Sequence, residues 1–236
     1  MIQVTRTGMT VSAGETAVLY QQFAQRHCVL LPCLLAADVL QSLTRRLARA
    51  RFDETAYYAY DRQGEGQEFA KDLMLASGSP VLHALNLLMN RPALFKAIEE
   101  ITGSTKIGCF YGRIYRSQPG SNHHLDWHDD LTEKNRLIGL SLNLSDHQYE
   151  GGVFQLRERI SKRVTAEVAF EESGTAHIFR IATSVEHRVT PVTGDYPRTV
   201  AAGWFMSQPS REILLKSLYV PEKIGSGYSE PQRSEI

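Results

Sequence analysis

The sequence has little that would stabilise or localise the chain by special means. Three cysteines in 236 residues, Cys28, Cys33 and Cys109, are too few for a disulfide framework. The spacing of the first two fits no common zinc pattern, so all three are expected to be small buried hydrophobes. Charge of either sign is not in excess: 26 Lys+Arg stand against 26 Asp+Glu, which leaves no general attraction to nucleic acid or to an anionic membrane surface. Long hydrophobic runs are missing too. VLLPCLLAADVL is broken by Pro32 and is too short to cross a bilayer, and MIQVTRTGMTVSAGETAV lacks the apolar stretch of a secretory signal. A cytoplasmic protein without nucleic-acid or membrane partners is expected.

No internal repeat, low-complexity tract or linker divides the chain, and one domain over residues 1–236 is expected, in two zones. Residues 1–105 read as mostly helical. AADVLQSLTRRLARARF (Ala36–Phe52) places Val39, Leu40, Leu43 and Leu47 at helical spacing. SPVLHALNLLMN repeats the pattern, and so does RPALFKAIEEITG, with Pro92 in a first turn and Gly103 as a C-cap. Between them, the polar Glu54–Leu73 reads as a loop or irregular hairpin. From Lys106 the pattern changes to short alternating strands: KIGCFYGRIYRS, RLIGLSLNLS, GGVFQLRE, TAEVAF, AHIFRI, HRVTPV and RTVAAGWFM. Seven or eight short strands after a helical layer point to a mainly β, α+β fold: an antiparallel jelly-roll-like or cupin-like barrel over residues 106–210, braced by N-terminal helices.

The densest chemistry lies in HHLDWHDD, His123 to Asp130. On an extended strand residues i and i+2 share a face, so His-x-Asp sets an imidazole beside a carboxylate. His124/Asp126 and His128/Asp130 both obey this rule and share one parity, so strand geometry alone does not choose between them. A third ligand is available in His187, which lies on a downstream strand. Two histidines and one carboxylate on one face of an octahedron are the arrangement of non-haem Fe(II) oxygenases, whereas zinc prefers a tetrahedron. Arg198 follows in RTVAAGWF. TGDYP between VTPV and RTVAAGWF reads as the turn of a hairpin that would place Arg198 about 7–12 Å from His187. At that distance a planar guanidinium suits the far carboxylate of a dicarboxylate chelating the metal.

Taken together, HDD, RLIGLSLNLS, EGGVFQL, EHRVTPV and Arg198 eleven residues after His187 make Tyr111–Met206 resemble the Fe(II)- and 2-oxoglutarate-dependent dioxygenases, in their prolyl 4-hydroxylase-like branch. The resemblance implies a double-stranded β-helix. It also implies Fe(II) as cofactor, with 2-oxoglutarate and O2 as cosubstrates that give succinate and CO2 while an unactivated C–H is hydroxylated. It favours His128/Asp130 over His124/Asp126, because an apolar residue before H-x-D, a short loop and an Arg-led strand ending in Asn fit Trp127–His128, Asp130, Arg136 and Asn143. His128, Asp130 and His187 are then the metal ligands and catalytic centre, and Arg198 holds the 5-carboxylate of 2-oxoglutarate. Tyr115 is carried over as a hydrogen-bonding partner of the cosubstrate, although YRSQPGSNHH is longer than the family's usual link. An Asp at position 130 occupies the place where halogenating relatives have a small residue, which argues against halogenation.

For the substrate, a stand-alone domain without a recognition module suits an amino acid or other small metabolite. The branch also allows a peptidyl or protein prolyl substrate. Readings from other classes are a non-catalytic cupin-like sensor binding a metal and a carboxylate, and a metal-dependent hydrolase or isomerase, which would turn over without O2. Several polar residues have structural readings beside functional ones. His177 is read as a core histidine, Arg113 and Arg180 as surface charges or substrate clamps, and Gly151 and Gly152 as backbone turns. Tyr57, Tyr58 and Tyr60 are read as a substrate-gripping loop or ordinary packing.

Overall fold

The computed structural model of the chain describes residues 1–12, 14–60, 66–169 and 171–209. A ribbon of β1 (Ile2–Val4) and β2 (Met9–Val11) precedes helix α1 (Glu15–Arg26). β3 (Cys28–Leu31) leads to α2 (Ala37–Leu47), the hairpin β4 (Phe52–Tyr60) and β5 (Gly66–Leu75), then α3 (Pro80–Met89) and α4 (Pro92–Thr102). The remainder is β6 (Cys109–Ser117), β7 (His124–His128), β8 (Arg136–Asn143), β9 (Glu150–Gly151), β10 (Phe154–Glu158) and β11 (Val164–Val168). It ends with β12 (Ala176–Arg180), β13 (Val185–Val189), β14 (Val192–Thr193) and β15 (Arg198–Met206). No helix among the described residues is long and apolar enough to cross a membrane.

One antiparallel sheet, in the order β11-β10-β13-β7-β5-β6-β15-β8-β12-β3 with β4 added on β5, bends into a nearly closed barrel. This is the jelly-roll, double-stranded β-helix architecture expected from the strand pattern. β8, β12 and β15 are buried along most of their length, and alternate residues divide between two environments. Ile138, Leu142, Ile178, Ala201 and Phe205 join Phe23, Leu43, Leu47, Leu85, Met89 and Ile101 in one apolar cluster under the helices. Burying each large aliphatic or aromatic side chain there contributes about 1.5–3 kcal/mol relative to exposure. Residues of the other parity, including Ser141, Phe179, Arg198 and Val200, line the interior.

The helices also finish the sheet. β6 meets β5 only through Tyr115 and Arg116, which leaves the backbone near Phe110 and Gly112 without a strand on that side. Two asparagines one turn apart on α3 fill the gap. Asn90 accepts from Phe110 N and donates to Phe110 O, both at 2.8 Å, and Asn86 makes the same pair with Gly112 at 2.9 and 3.3 Å. An i, i+4 helical spacing thus satisfies i, i+2 backbone groups of a strand, and a sheet edge is closed without a strand.

The helix read over Ala36–Phe52 stops at Leu47, and Phe52 already belongs to β4. There its ring carries the Arg116 guanidinium, 4.1 Å from the centroid. The first zone also gives strands to the barrel: β3 pairs with β12, and Glu54–Leu73 is a regular hairpin with one bulge at Tyr57/Tyr58. Cys28 is buried, and burial pushes its thiol up to about 12, but Cys33 is exposed, on a left-handed turn (φ 50°). The expectation of three buried cysteines is corrected there and at Cys109, which is only partly buried. The hairpin expected across TGDYP does not form. β13 pairs with β10 and β7, β14 with β9, and β15 with β6 and β8, because the chain crosses from one sheet of the barrel to the other between Val189 and Arg198.

Asn90→Ala is expected to lower stability by about 1–3 kcal/mol, the cost of leaving a backbone donor and acceptor unsatisfied. Denaturant unfolding measures it.

Candidate active site

Strand pairing brings two histidines together. His128 on β7 and His187 on β13 are directly opposed Cα partners, and their ring centroids lie 4.1 Å apart. Asp130 arrives by a different route. β7 ends at His128, and Asp130 has φ 59°, in the left-handed region that residues with a Cβ seldom occupy. That turn, in place of strand alternation, points the carboxylate back at the rings. Its Oδ1 is 3.4 Å from His128 Nε2 and its Oδ2 is 3.5 Å from His187 Nε2. Among the described residues, these three alone form a group able to hold a metal ion, with ligand atoms all within 4.8 Å of one another. The in-phase pair stays apart from it: His124 Nδ1 donates to the Asn122 carbonyl at 2.8 Å, and Asp126 is exposed.

Neighbouring side chains fix each member. His128 Nδ1 donates to the Asp126 carbonyl at 2.8 Å, so Nε2 keeps its lone pair for a metal. Trp204 Nε1 donates to Asp130 Oδ2 at 2.7 Å, and Arg136, stacked 3.8 Å from the Trp204 ring centroid, donates to the Asp130 carbonyl at 3.1 Å. Burial acts to raise the Asp130 carboxyl, but the two histidines beside it hold it well below the usual carboxylate range. His187 is pushed down by burial and by the charge on His128. His128, although burial opposes it, is raised by Asp130. Phe179 covers His187 with ring centroids 4.6 Å apart, and is itself seated on Gly139, where a Cβ would lie 2.1 Å from its ring.

Arg198 opens β15 opposite Ser117 and is only 6% exposed. It has no ion pair among the described residues, and its Nε is buried without a hydrogen-bond partner. A buried guanidinium in that state is costly unless an anion joins it. Gly152, with φ 58°, makes room for it, since a Cβ there would meet Arg198 Cδ at 2.6 Å. The glycine that read as a backbone turn therefore also shapes the arginine's position. His177, read as a core histidine, is buried against Phe154 with centroids 4.5 Å apart. Burial, with the charges of Arg198 and His187, pushes it down to about 3, so it stays neutral.

One cavity of about 530 Å³ is lined by His128, Asp130, His187, Arg198, Tyr115 and Arg113, among others. Tyr115 shares a hydroxyl contact of 3.2 Å with Tyr57, and burial raises its phenol. Tyr57 and Tyr58 line the cavity from the hairpin, whereas Tyr60's side chain lies outside the described residues. Arg180 is elsewhere, over Phe23 and against His27. Sequence reasoning did not single out Asp72 and Ser117, which are hydrogen-bonded at 2.7 Å with His123 beside them. Neither lies in a motif, and the fold alone brings them together. A His, Asp, His cluster with a free imidazole lone pair at one end, and an unpaired buried arginine on the same cavity, fit a metal and a carboxylate ligand.

Residues 112–206 match the family model of the 2OG-Fe(II) oxygenase superfamily. This span, under half of the chain, holds all three clustered residues and Arg198. Solved structures share the fold at low identity. An oxidoreductase of the 2OG-Fe(II) oxygenase family from Burkholderia pseudomallei is 17% identical, with 89% of this chain and 98% of that chain covered and a TM-score of 0.57. A Pseudomonas putida prolyl-4-hydroxylase is 18% identical, with 82% and 99% covered and a TM-score of 0.57. The non-heme alpha-ketoglutarate-dependent epimerase SnoN from nogalamycin biosynthesis is 12% identical, with 94% of both chains covered and a TM-score of 0.56. No curated protein matches the sequence. The match implies Fe(II), 2-oxoglutarate and O2 as the cofactor set.

His128→Ala and Asp130→Ala are expected to abolish Fe(II) retention in anaerobic equilibrium dialysis, with His124→Ala unchanged. Trp204→Phe, which frees the carboxylate, should weaken Fe(II) binding by roughly 10–100-fold. Iron lost from the His124 variant but kept by the His128 variant would reverse the assignment.

Proposed function

We propose that this enzyme hydroxylates an unactivated C–H of a small molecule, such as an amino acid or related metabolite. In this reading His128, Asp130 and His187 hold Fe(II), Arg198 binds the 5-carboxylate of 2-oxoglutarate, and Tyr115 gives the cosubstrate a hydrogen bond. The observation that carries it is the pairing, in one cavity, of the three-donor cluster with a buried arginine that has no ion pair among the described residues and an unpartnered Nε. Bound there, iron with 2-oxoglutarate and O2 would supply the oxidising power, one oxygen atom going to the substrate and the other to succinate, with release of CO2.

The chain's own residues provide position and charge. Asp126 keeps the proton of His128 on Nδ1, which leaves Nε2 free. Trp204 and Arg136 orient the Asp130 carboxylate, and its low proton affinity keeps it anionic. Arg198 presents a planar fork whose charge does not depend on pH. Phe179, Phe154 and Phe69 surround the two rings with apolar surface, which limits water and strengthens the local electrostatics. A small-molecule substrate is supported by the cavity's size, within the roughly 300–1,000 Å³ of such sites. The hairpin over it is hydrogen-bonded to strands on both sides. One domain over residues 1–236 is supported by the apolar cluster that N-terminal helices and barrel strands share.

Fe(II)-loaded protein under argon is expected to develop a visible charge-transfer band when 2-oxoglutarate is added. In air it should form succinate and a product heavier by one oxygen, found by mass spectrometry of metabolite and peptide pools. Arg198→Gln should weaken 2-oxoglutarate binding roughly 30-fold or more, the cost of removing one side of a buried charged pair, with iron retained. Gly152→Ala should shift it in the same direction by displacing the arginine. No band with wild-type protein would sink the oxygenase reading, and oxygen gain only in peptides would move the substrate to the protein class.

A further inference from the structure

The charged side chains around the cavity are unevenly paired. Arg136 is paired with Asp130 and Glu133, Lys71 with Glu54, and Asp129 with Arg159. Asp72 is hydrogen-bonded to Ser117 with His123 beside it, and feels the charge of Arg198 without pairing with it. Two arginines of the cavity wall have no ion pair among the described residues: Arg198 and Arg113. The first is assigned to 2-oxoglutarate in the reading above, on which this inference rests. Arg113 shares a face of β6 with Ser117, the partner of Arg198, and lies four residues away, about 13 Å of strand. The two cations therefore occupy separate stations along the wall.

The contacts of Arg113 are with neutral groups. Its Nη1 donates to the Tyr57 hydroxyl at 2.6 Å, and its guanidinium also bonds Tyr115 and Tyr111. The Tyr57 and Tyr111 ring centroids lie 6.0 and 5.8 Å from its Cζ. Phenols orient a guanidinium without neutralising it, and burial keeps Tyr115 protonated. Arginine does not escape by losing its proton. A half-buried cation framed by hydroxyls and open to a ligand cavity is suited to a charge-assisted hydrogen bond with an anion.

We infer that Arg113, with the Tyr57 hydroxyl beside it, binds an anionic group of the primary substrate, a carboxylate or a phosphate ester. Each reactant then has its own arginine, and the substrate is an acid whose reacting C–H is placed by that anchor. Tyr57 makes the hairpin β4–β5 part of the specificity site. A neutral analogue would leave the guanidinium unpaired in the closed complex, so discrimination rests on charge as well as shape.

The test uses protein loaded with Zn(II), which blocks turnover, and saturated with 2-oxoglutarate. Saturation-transfer NMR is recorded against the protein amino acids, their N-acetyl derivatives and common carboxylic acids, each beside its primary amide, and against phosphate monoesters beside their parent alcohols. At least one acid or ester is expected to bind where its neutral counterpart does not. Arg113→Gln should weaken that ligand at least about tenfold. Its 2-oxoglutarate affinity by calorimetry should stay at the wild-type value, which also reports an intact fold. Arg113→Lys should keep part of the preference, and Tyr57→Phe should weaken the ligand less than Arg113→Gln does, with the preference for the anion kept because the charge remains. Amides binding as well as acids, no anion binding at all, or Arg113→Gln weakening 2-oxoglutarate instead would each overturn the inference. Wild-type protein that fails to bind 2-oxoglutarate would remove the functional reading as well, whereas intact cosubstrate binding without preference for anions removes this inference alone.

Discussion

The site depends on one cross-strand contact, the direct opposition of His128 and His187 on β7 and β13. Opposed residues of an antiparallel pair have Cβ atoms roughly 4.5–5.5 Å apart, so register alone holds two imidazoles at a distance one ion can bridge. A slip by one residue would turn each histidine to the other face. Asp130 could not have joined them from within the strand, because alternation keeps i and i+2 side by side without turning one toward the other. The left-handed residue just past the end of β7 makes that turn, and Trp204 and Arg136 secure its carboxylate from β15 and β8. The backbone strain sits where it shapes the chemistry.

Much of this was legible in the sequence, for identifiable reasons. The strands of the second half announce themselves through alternation and turn residues, α3 through helical spacing, and α4 through Pro92 and Gly103 as well. The resemblance carried by HDD, EGGVFQL and EHRVTPV picked out the clustered residues. The geometric argument for the pair was incomplete, however, since Asp130 does not share the strand with His128. Arg198 reaches the same cavity although the hairpin invoked for it is absent. TGDYP does turn the chain, but into a crossing between sheets, and local turn chemistry does not report which strand lies alongside. The hairpin β4–β5 was obscured by its polar residues, half of which line the cavity or face solvent and leave no apolar stripe. Asp72, Ser117 and Arg113 become neighbours of the site only through pairings across β5, β6 and β15, and no local pattern encodes those.

Electrostatics and packing divide the cavity into ends. One end is rich in donors held by aromatic and carboxylate neighbours, with Asp130 anionic and His128 and His187 pressed between phenylalanines. Along β6 and β15 the wall carries Arg113 against the Tyr57 hydroxyl and Arg198 in the space left by Gly152, with Asp72 held on Ser117. The low dielectric inside the barrel extends the reach of each charge. The neutral His177 behind Arg198 adds no positive charge that would compete for the same ligand.

β5 is hydrogen-bonded on one side to β6, at Leu73 and Met74, and on the other to β7, at Ala70 and Lys71. It is therefore a seam that joins the two sheets, and lifting it as a flap would break ladders on both sides at once. Tyr57 and Tyr58, which line the cavity from the hairpin β4–β5, therefore belong to a wall anchored on two sides, and a substitution that loosened β5 would reach both sheets together.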